Sequence, residues 1–145
     1  IQFFNKTTKR HYNALVWGAL KEDTGTIRSQ IARNPHDRLQ MAVFTDPAIG
    51  KHAVTHYKVL ERIGYVTLVE CILETGRTHQ IRVHFASMGT PLYGDTMYGE
   101  VHESLSHQAL HCGWVKFKHP ITDEVIECEA KMPEDMQKLL EELRK

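Results

Sequence analysis

The residues that could do chemistry crowd into one stretch. From Leu73 to Gly99 the chain reads L-E-T-G-R-T-H-Q-I-R-V-H-F-A-S-M-G-T-P-L-Y-G-D-T-M-Y-G, with Arg77, His79, Gln80, Arg82 and His84 close together. Ile81, Phe85 and Met88 recur at helical spacing, which predicts a short helix with that side packed inward. Thr75 or Thr78 is placed to cap its start, and Gly89 followed by Pro91 to end it. A helix N-terminus carries partial positive charge, so cations gathered there are unfavourable unless an anion arrives. His79 and Arg82 share one helix face, and Gln80 and His84 share the next. Arginine offers a rigid fork suited to carboxylate or phosphate. Tyr12, just after Lys9, Arg10 and His11, adds an aromatic beside cations, the pairing that grips an unstacked base. It reads equally as a core tyrosine at the start of a strand. Residue types alone stop at an anion or RNA site on an α/β scaffold.

Several elements must position these groups. Tyr12 to Gly18 reads as a buried strand. Asp23-Thr24-Gly25 supplies a turn, Gly25 to Ile27 begins a short strand, and Asn34-Pro35 marks a loop within 31–38. Leu39 to Phe44 forms another strand. Ala53 to Glu61 alternates, with Thr55, Tyr57 and Val59 on one side, and pairs with Tyr65 to Glu74 as an antiparallel hairpin through Arg62-Ile63-Gly64. The second hairpin strand feeds the cation-rich helix, so the cluster stands at a strand-to-helix junction on a rigid support. Ala109 to Lys118 and Glu124 to Ala130 should pair through the turn His119-Pro120-Ile121-Thr122-Asp123. Met132 to Asp135 opens a final helix with acids at its positive end and Arg144-Lys145 at its negative end. Leu139, Leu140 and Leu143 dock it, and its reading is structural. The fold class expected is α+β, a mostly antiparallel mixed sheet with a few flanking helices.

Composition narrows the function. At 145 residues the chain is at most one domain, and its 18 basic and 18 acidic residues cancel. RNA binding must then come from local patches rather than bulk charge. Acids collect at the end, with Glu134, Asp135, Glu141 and Glu142 among the last residues, leaving the middle more basic and histidine-rich. Cys71, Cys112 and Cys128 are far apart and form no C-x-x-C, which reads as reduced core thiols in a cytoplasmic protein. No apolar run approaches a membrane span and no leader pattern appears. The chain opens at Ile1 without Met, in the manner of an excised piece of a longer protein. His107-x-x-x-His111 has helical metal-ligand spacing, but no H-E-x-x-H occurs and His111 is expected in a strand, so no metal site is assigned. No G-x-S-x-G elbow, P-loop or G-x-G-x-x-G fingerprint is present.

The run T-G-R-T-H-Q-I-R-V-H, followed by G-x-P-x-x-G-D-x-x-Y-G, resembles the signature of the RluA family of pseudouridine synthases. Lys9 to Gly18 is similar to that family's K-x-Y-x-A-x-V-x-G element, and Gly50 to Tyr57 to its G-K-x-A-x-T-x-Y. The resemblance covers essentially the whole chain. It implies isomerisation of uridine in RNA, without cofactor or metal, through an aspartate in an H-R-L-D motif that attacks a flipped-out nucleotide. By that resemblance Arg82 pairs with the catalytic aspartate and Tyr12 stacks on the uracil. Arg77, Thr78, His79, Gln80 and His84 support the cleft and bind RNA. The partner implied is RNA, ribosomal or less favourably transfer RNA, in a bacterial parent protein, with no membrane involved; oligomeric state is not legible.

One departure stands against these matches. There is no H-R-L-D, since His36-Asp37-Arg38-Leu39 has the wrong order and follows Tyr12 where the family's motif precedes it. Asp95, in the G-D-x-x-Y-G loop, is expected to order that turn. The nucleophile is therefore expected upstream of Ile1, which makes residues 1–145 the C-terminal portion of a catalytic domain and this chain inactive alone. Two alternatives remain at this stage, a non-catalytic RNA-binding module and a histidine-based metal hydrolase.

Overall fold

The computed structural model describes residues 9–99, 108–118, 121, 122 and 124–144. Its frame is one antiparallel sheet of seven strands in the order β3-β2-β4-β5-β1-β6-β7. The strands are β1 (Lys9–Trp17), β2 (Thr24–Arg33), β3 (Met41–Phe44), β4 (Lys51–Ile63), β5 (Val66–Leu73), β6 (Leu110–Lys118) and β7 (Val125–Glu129). Two helices, α1 (Gln80–Ser87) and α2 (Glu134–Arg144), complete the α+β fold.

β1 explains how the layers form. Its Ala14-Leu15-Val16 run is fully buried at every position, because both faces of the sheet are covered there. Ala14 and Val16 turn toward α1 and pack with Val69, Cys71, Ile81 and Phe85. Leu15 turns the other way and packs with Val66, Leu68, Met136, Leu139 and Leu140. Leu139 and Leu140 dock α2 as expected, with Leu143 packed at the margin. Met136, fully buried, is a further anchor that the leucine pattern did not single out. At the far end Arg144 grips Glu61 of β4 through Nε at 2.9 Å and Nη2 at 2.7 Å.

The β4–β5 hairpin follows its alternation, with Thr55 and Tyr57 buried on the α1 face. The turn falls at Gly64-Tyr65, just beyond the expected Arg62-Ile63-Gly64. β2 is longer than expected and runs to Arg33, because its pairing with β4 extends from Thr24↔Lys58 to Ile31↔Lys51. Asn34-Pro35 only ends it. The β6–β7 pair forms, while His119, Pro120 and Asp123 of its connecting turn lie outside the described residues. So does His107 of the metal-spacing pair, and His111 is in β6. Among the described residues no helix is long and apolar enough to cross a membrane.

Backbone geometry fixes the β3–β4 turn. Gly50 has φ +71°, and a methyl group built on it would overlap the Ile31 carbonyl. Gly64 has φ +58° but open space around it. Gly64→Ala should therefore cost about 1 kcal/mol, the left-handed penalty alone. Gly50→Ala adds a backbone collision and should cost about 2–4 kcal/mol. Urea midpoints of the two variants measure the difference, and equal losses would contradict the close approach.

Candidate active site

The site is built where β1, β5 and α1 meet. Tyr12 stands on β1 at a bulge: His11 faces Trp114 and Tyr12 faces Cys112, leaving Gly113 as the extra residue on β6. Such bulges kink the strand and re-aim its side chains. Arg10 lies 5.5 Å from the centre of the Tyr12 ring. Burial raises the Tyr12 pKa, Arg10 pulls the other way and Cys112 adds to the rise, so the ring stays a neutral phenol. β5 then leads through Gly76-Arg77-Thr78 into α1. A cavity of about 590 Å³ opens among these elements, lined by Arg10, Tyr12, Arg77, His79 and Arg82 over apolar Ile81 and Leu110. Its size suits a small ligand, typically ~300–1,000 Å³. Among the described residues no carboxylate lines it.

Helix α1 begins differently from the expectation. Neither Thr75 nor Thr78 caps it; the N-cap is His79, in the left-handed region at φ 55° with no side-chain cap. A non-glycine residue held there stores strain and persists only when its surroundings over-determine it. Here Tyr98 does so. Its hydroxyl accepts from the Met41 N–H at 2.7 Å and lies 2.8 Å from His79 Nδ1. The Tyr98 hydroxyl has a proton to give and a second lone pair to offer, so it holds the ring through Nδ1 in either tautomer. Burial first, and then Arg82, hold the His79 pKa below its ordinary value, so the ring is neutral near pH 7. The helix ends as expected, with Gly89 at φ +79°. Met88, expected to pack inward, is instead the C-cap and 44% exposed, because the chain turns away there.

Arg82 is held from within the chain. Its Nε donates to Asp95 Oδ2 at 2.8 Å and its Nη2 to Oδ1 at 3.0 Å. Tyr98 lies beneath the guanidinium, 5.2 Å from ring centre to Cζ. Asp95 is fully buried and also accepts the Met97 and Tyr98 N–H groups at 3.1 and 3.2 Å. Burial alone would raise its pKa, but Arg82 and these backbone donors outweigh that and hold the carboxyl below its usual range. Asp95 thus orders its turn and also clamps the arginine. The remaining terminal nitrogen of Arg82, Nη1, has no acceptor among the described residues. Asp95 and Tyr98 as supports of the site were missed; the D-x-x-Y spacing of their loop was the available signal.

Gln80 and His84, expected to bind RNA, are both buried. Gln80 is 3% exposed, and both ends of its amide are saturated. Oε1 accepts from Thr75 Oγ1 at 2.7 Å and the Arg77 N–H at 3.0 Å, while Nε2 donates to the Val54 carbonyl and Thr55 Oγ1, both at 2.9 Å. An amide has no further capacity to offer a ligand. His84 is fully buried, with Thr55 Oγ1 2.7 Å from Nδ1 and Ser29 Oγ 2.7 Å from Nε2. Gln80 holds the loop that presents Arg77 and borders the cavity with its amide already committed, while His84 lies beneath, outside the lining. Tyr12, Arg77, Thr78, His79 and Arg82 line the cavity as well. Cys71 is buried and pushed up to about 12, which leaves it no nucleophilic role.

Burial lowers the His84 pKa to about 4. Between pH 6.5 and 4 the unfolded chain binds this proton and the folded chain does not, so stability falls as pH drops through that window. The total loss is about 3 kcal/mol. Urea denaturation at pH 7 and pH 4.5 measures it, and an NMR titration placing the His84 ring near pH 6.5 would contradict the neutral buried imidazole.

The chain matches known proteins both in sequence and in fold. The sequence profile described as RNA pseudouridylate synthase matches residues 2–87. An RNA pseudouridine synthase of Bacillus subtilis, YlyB, described as uncharacterised, is 52% identical over 145 residues, covering 99% of this chain and 47% of that protein. The ribosomal large subunit pseudouridine synthase D of Nitrosomonas europaea is 43% identical over 152 residues, covering 99% of this chain and 43% of that one. The chain spans about half the length of these bacterial relatives. Among solved structures, human RNA pseudouridylate synthase domain containing 1 superposes with a TM-score of 0.75 at 27% identity, covering 95% of this chain and 66% of that one.

Proposed function

The chain belongs to the RluA-type RNA pseudouridylate synthase family, and from that premise we propose that it is the uridine-cradling part of a catalytic domain. Residues 1–145 form the C-terminal portion of that domain, and the nucleophilic aspartate is supplied by the portion outside them. The substrate is a uridine in RNA, with large-subunit ribosomal RNA the favoured target; a relative at 43% identity bears that name. One observation carries the reading: Tyr12 on β1, Arg77 in the loop before α1 and Arg82 on α1 line one cavity that lacks a carboxylate among the described residues.

In the proposed mechanism the target uridine leaves the helical stack, at a few kcal/mol of unstacking, and enters this cavity. Its base lies on the neutral Tyr12 ring. The aspartate attacks the flipped nucleotide, the bond between ribose and uracil nitrogen breaks, and the base turns. It rejoins the ribose through carbon-5, the bond to the aspartate breaks and frees the carboxylate, and carbon-5 loses its proton as the freed nitrogen gains one. Substrate and product are isomers, so the chemistry calls for no electron donor or acceptor. Arg82 Nη1, which Asp95 leaves free, faces the nucleophilic carboxylate and keeps it ionised. Asp95 serves as the brace that aims the fork. Arg77, Thr78 and His79 meet the RNA backbone.

The 145-residue chain alone should release no tritium from RNA carrying uridine labelled at carbon-5, whereas the protein extended upstream to include the aspartate should. Release by the isolated chain at a comparable rate would sink the half-site assignment. In the extended protein Arg82→Lys keeps the charge and loses the fork. Turnover should fall roughly a hundredfold with RNA affinity within about threefold, and unchanged turnover would remove Arg82 from the catalytic role. Tyr12→Phe keeps the stacking surface, so turnover should stay within about tenfold. A larger loss would assign a role to the hydroxyl.

A further inference from the structure

The cleft does not end at the loop carrying Arg77. On its other side lies a second hollow of about 370 Å³, and Gly76, Arg77 and Thr78 line both. Its floor is Ile31, Ala32 and Met41, and Lys51 stands at its wall. Ile31 and Lys51 are cross-strand partners on β2 and β4. Ile31 packs with Val83 of α1, so both side chains rise on the face that carries Tyr12 and Arg82. Ile31, 3% exposed, underlies the hollow, and half-buried Ala32 and Met41 supply its accessible apolar surface.

The charges around it are unbalanced in a particular way. In a chain whose cations and acids are equal in number, Arg62, Arg82 and Arg144 are each paired with a carboxylate. Lys51 and Arg77 have no acidic partner among the described residues. Arg77 is nevertheless fixed in place. Its Nε donates to the His52 carbonyl at 2.9 Å, and its own N–H is held by Gln80. The two terminal nitrogens of its guanidinium are left as a preorganised fork, the geometry that suits a phosphate. An apolar floor beneath unpaired cations, continuous with a base-binding cavity, matches a nucleotide rather than a free ion.

We propose that this second hollow is a subsite for the nucleotide next to the target uridine in a single-stranded RNA, with the phosphate joining the two held between Lys51 and Arg77 and the neighbouring nucleoside resting on Ile31, Ala32 and Met41. The proposal rests on the RNA reading of the adjoining cleft. The Arg77 loop then forms the ridge over which the strand passes, and Thr78, exposed at its crest, offers a hydroxyl to the backbone. Flanking sequence would be sampled here by the fit of a base on an apolar floor, independently of the target uracil.

The test is an NMR titration of the 145-residue chain with uridine, with inorganic phosphate and, separately, with the trinucleotide UpUpU. Uridine and UpUpU should both shift the amides of Tyr12 and Arg82, and only UpUpU should also shift those of Ala32, Met41 and Lys51. Lys51→Gln, at an exposed position, should weaken UpUpU about fivefold and lower the salt slope of its binding by about 0.7, leave uridine within twofold, and be rescued by Lys51→Arg. Cleft shifts with UpUpU but none at the hollow would overturn the subsite while leaving the RNA reading intact. Hollow shifts with inorganic phosphate equal to those with UpUpU would overturn it in favour of a simple anion site. An absence of cleft shifts with both uridine and UpUpU would overturn the RNA reading itself.

Discussion

Everything at this site depends on the buried ion pair between Arg82 and Asp95. A carboxylate with no solvent exposure is costly unless its lone pairs are taken up, and Asp95 takes up two guanidinium and two backbone donors. Losing one partner of such a pair costs about 3–5 kcal/mol, because the other charge is left stranded. The pair joins α1 to the loop after it, and Tyr98 of that loop reaches onward to Met41 of β3 and back to His79. One carboxylate thereby fixes the helix, its strained first residue and the arginine fork. The same geometry leaves one nitrogen of the fork uncommitted, so Arg82 combines rigid aim with a donor in reserve.

A second polar relay runs beneath the first. Ser29, His84, Thr55, Gln80 and Thr75 connect β2, α1, β4 and the loop before α1 through hydrogen bonds of 2.7 to 2.9 Å. It contains no formal charge at neutral pH, and no buried side-chain polar atom among the described residues is left without a partner. A network satisfied in this way rigidifies; a half-satisfied one would cost more than an apolar core. Helix α1 has only eight residues and would not persist alone in water. It holds because this relay, Phe85 edge-on to Tyr57 at 5.7 Å, and the Asp95 clamp pin it on separate sides.

Much of this was legible in the sequence, and the exceptions share a cause. The β4–β5 hairpin was visible from the alternation of Thr55, Tyr57 and Val59, even though β5 is buried on both faces, with Val69 and Cys71 toward α1 and Val66 and Leu68 toward α2; α2 was visible because acids and an arginine complement its dipole. The crowding of Arg77, His79 and Arg82 pointed to the cleft that the structure forms. Gln80 and His84 looked like members of the same crowd because donors near donors are all that a linear reading sees. Their burial is decided by Thr55 and Ser29, 25 to 55 residues away in sequence. The His79 cap was hidden for a similar reason: a left-handed residue is bought by contacts with Tyr98, far along the chain. Met88 obeyed helical spacing but fell at the point where the helix ends.

The position of β1 has a consequence in time. Its neighbours in the sheet are β5 and β6, so the strand that carries Tyr12 pairs with Cys71 on one side and Cys112 on the other. On the ribosome Ala14-Leu15-Val16 is followed by some sixty residues of chain, several seconds at usual synthesis rates, before β5, its neighbour in this sheet, is complete. Contacts of such long sequence separation also slow folding, since the loop entropy is spent before any pairing repays it. The β2–β4 and β4–β5 pairings, closed over short connections, can assemble without it. β1 is thus the late insertion that joins two halves of the sheet, and Tyr12 takes its place in the cavity only when the fold closes.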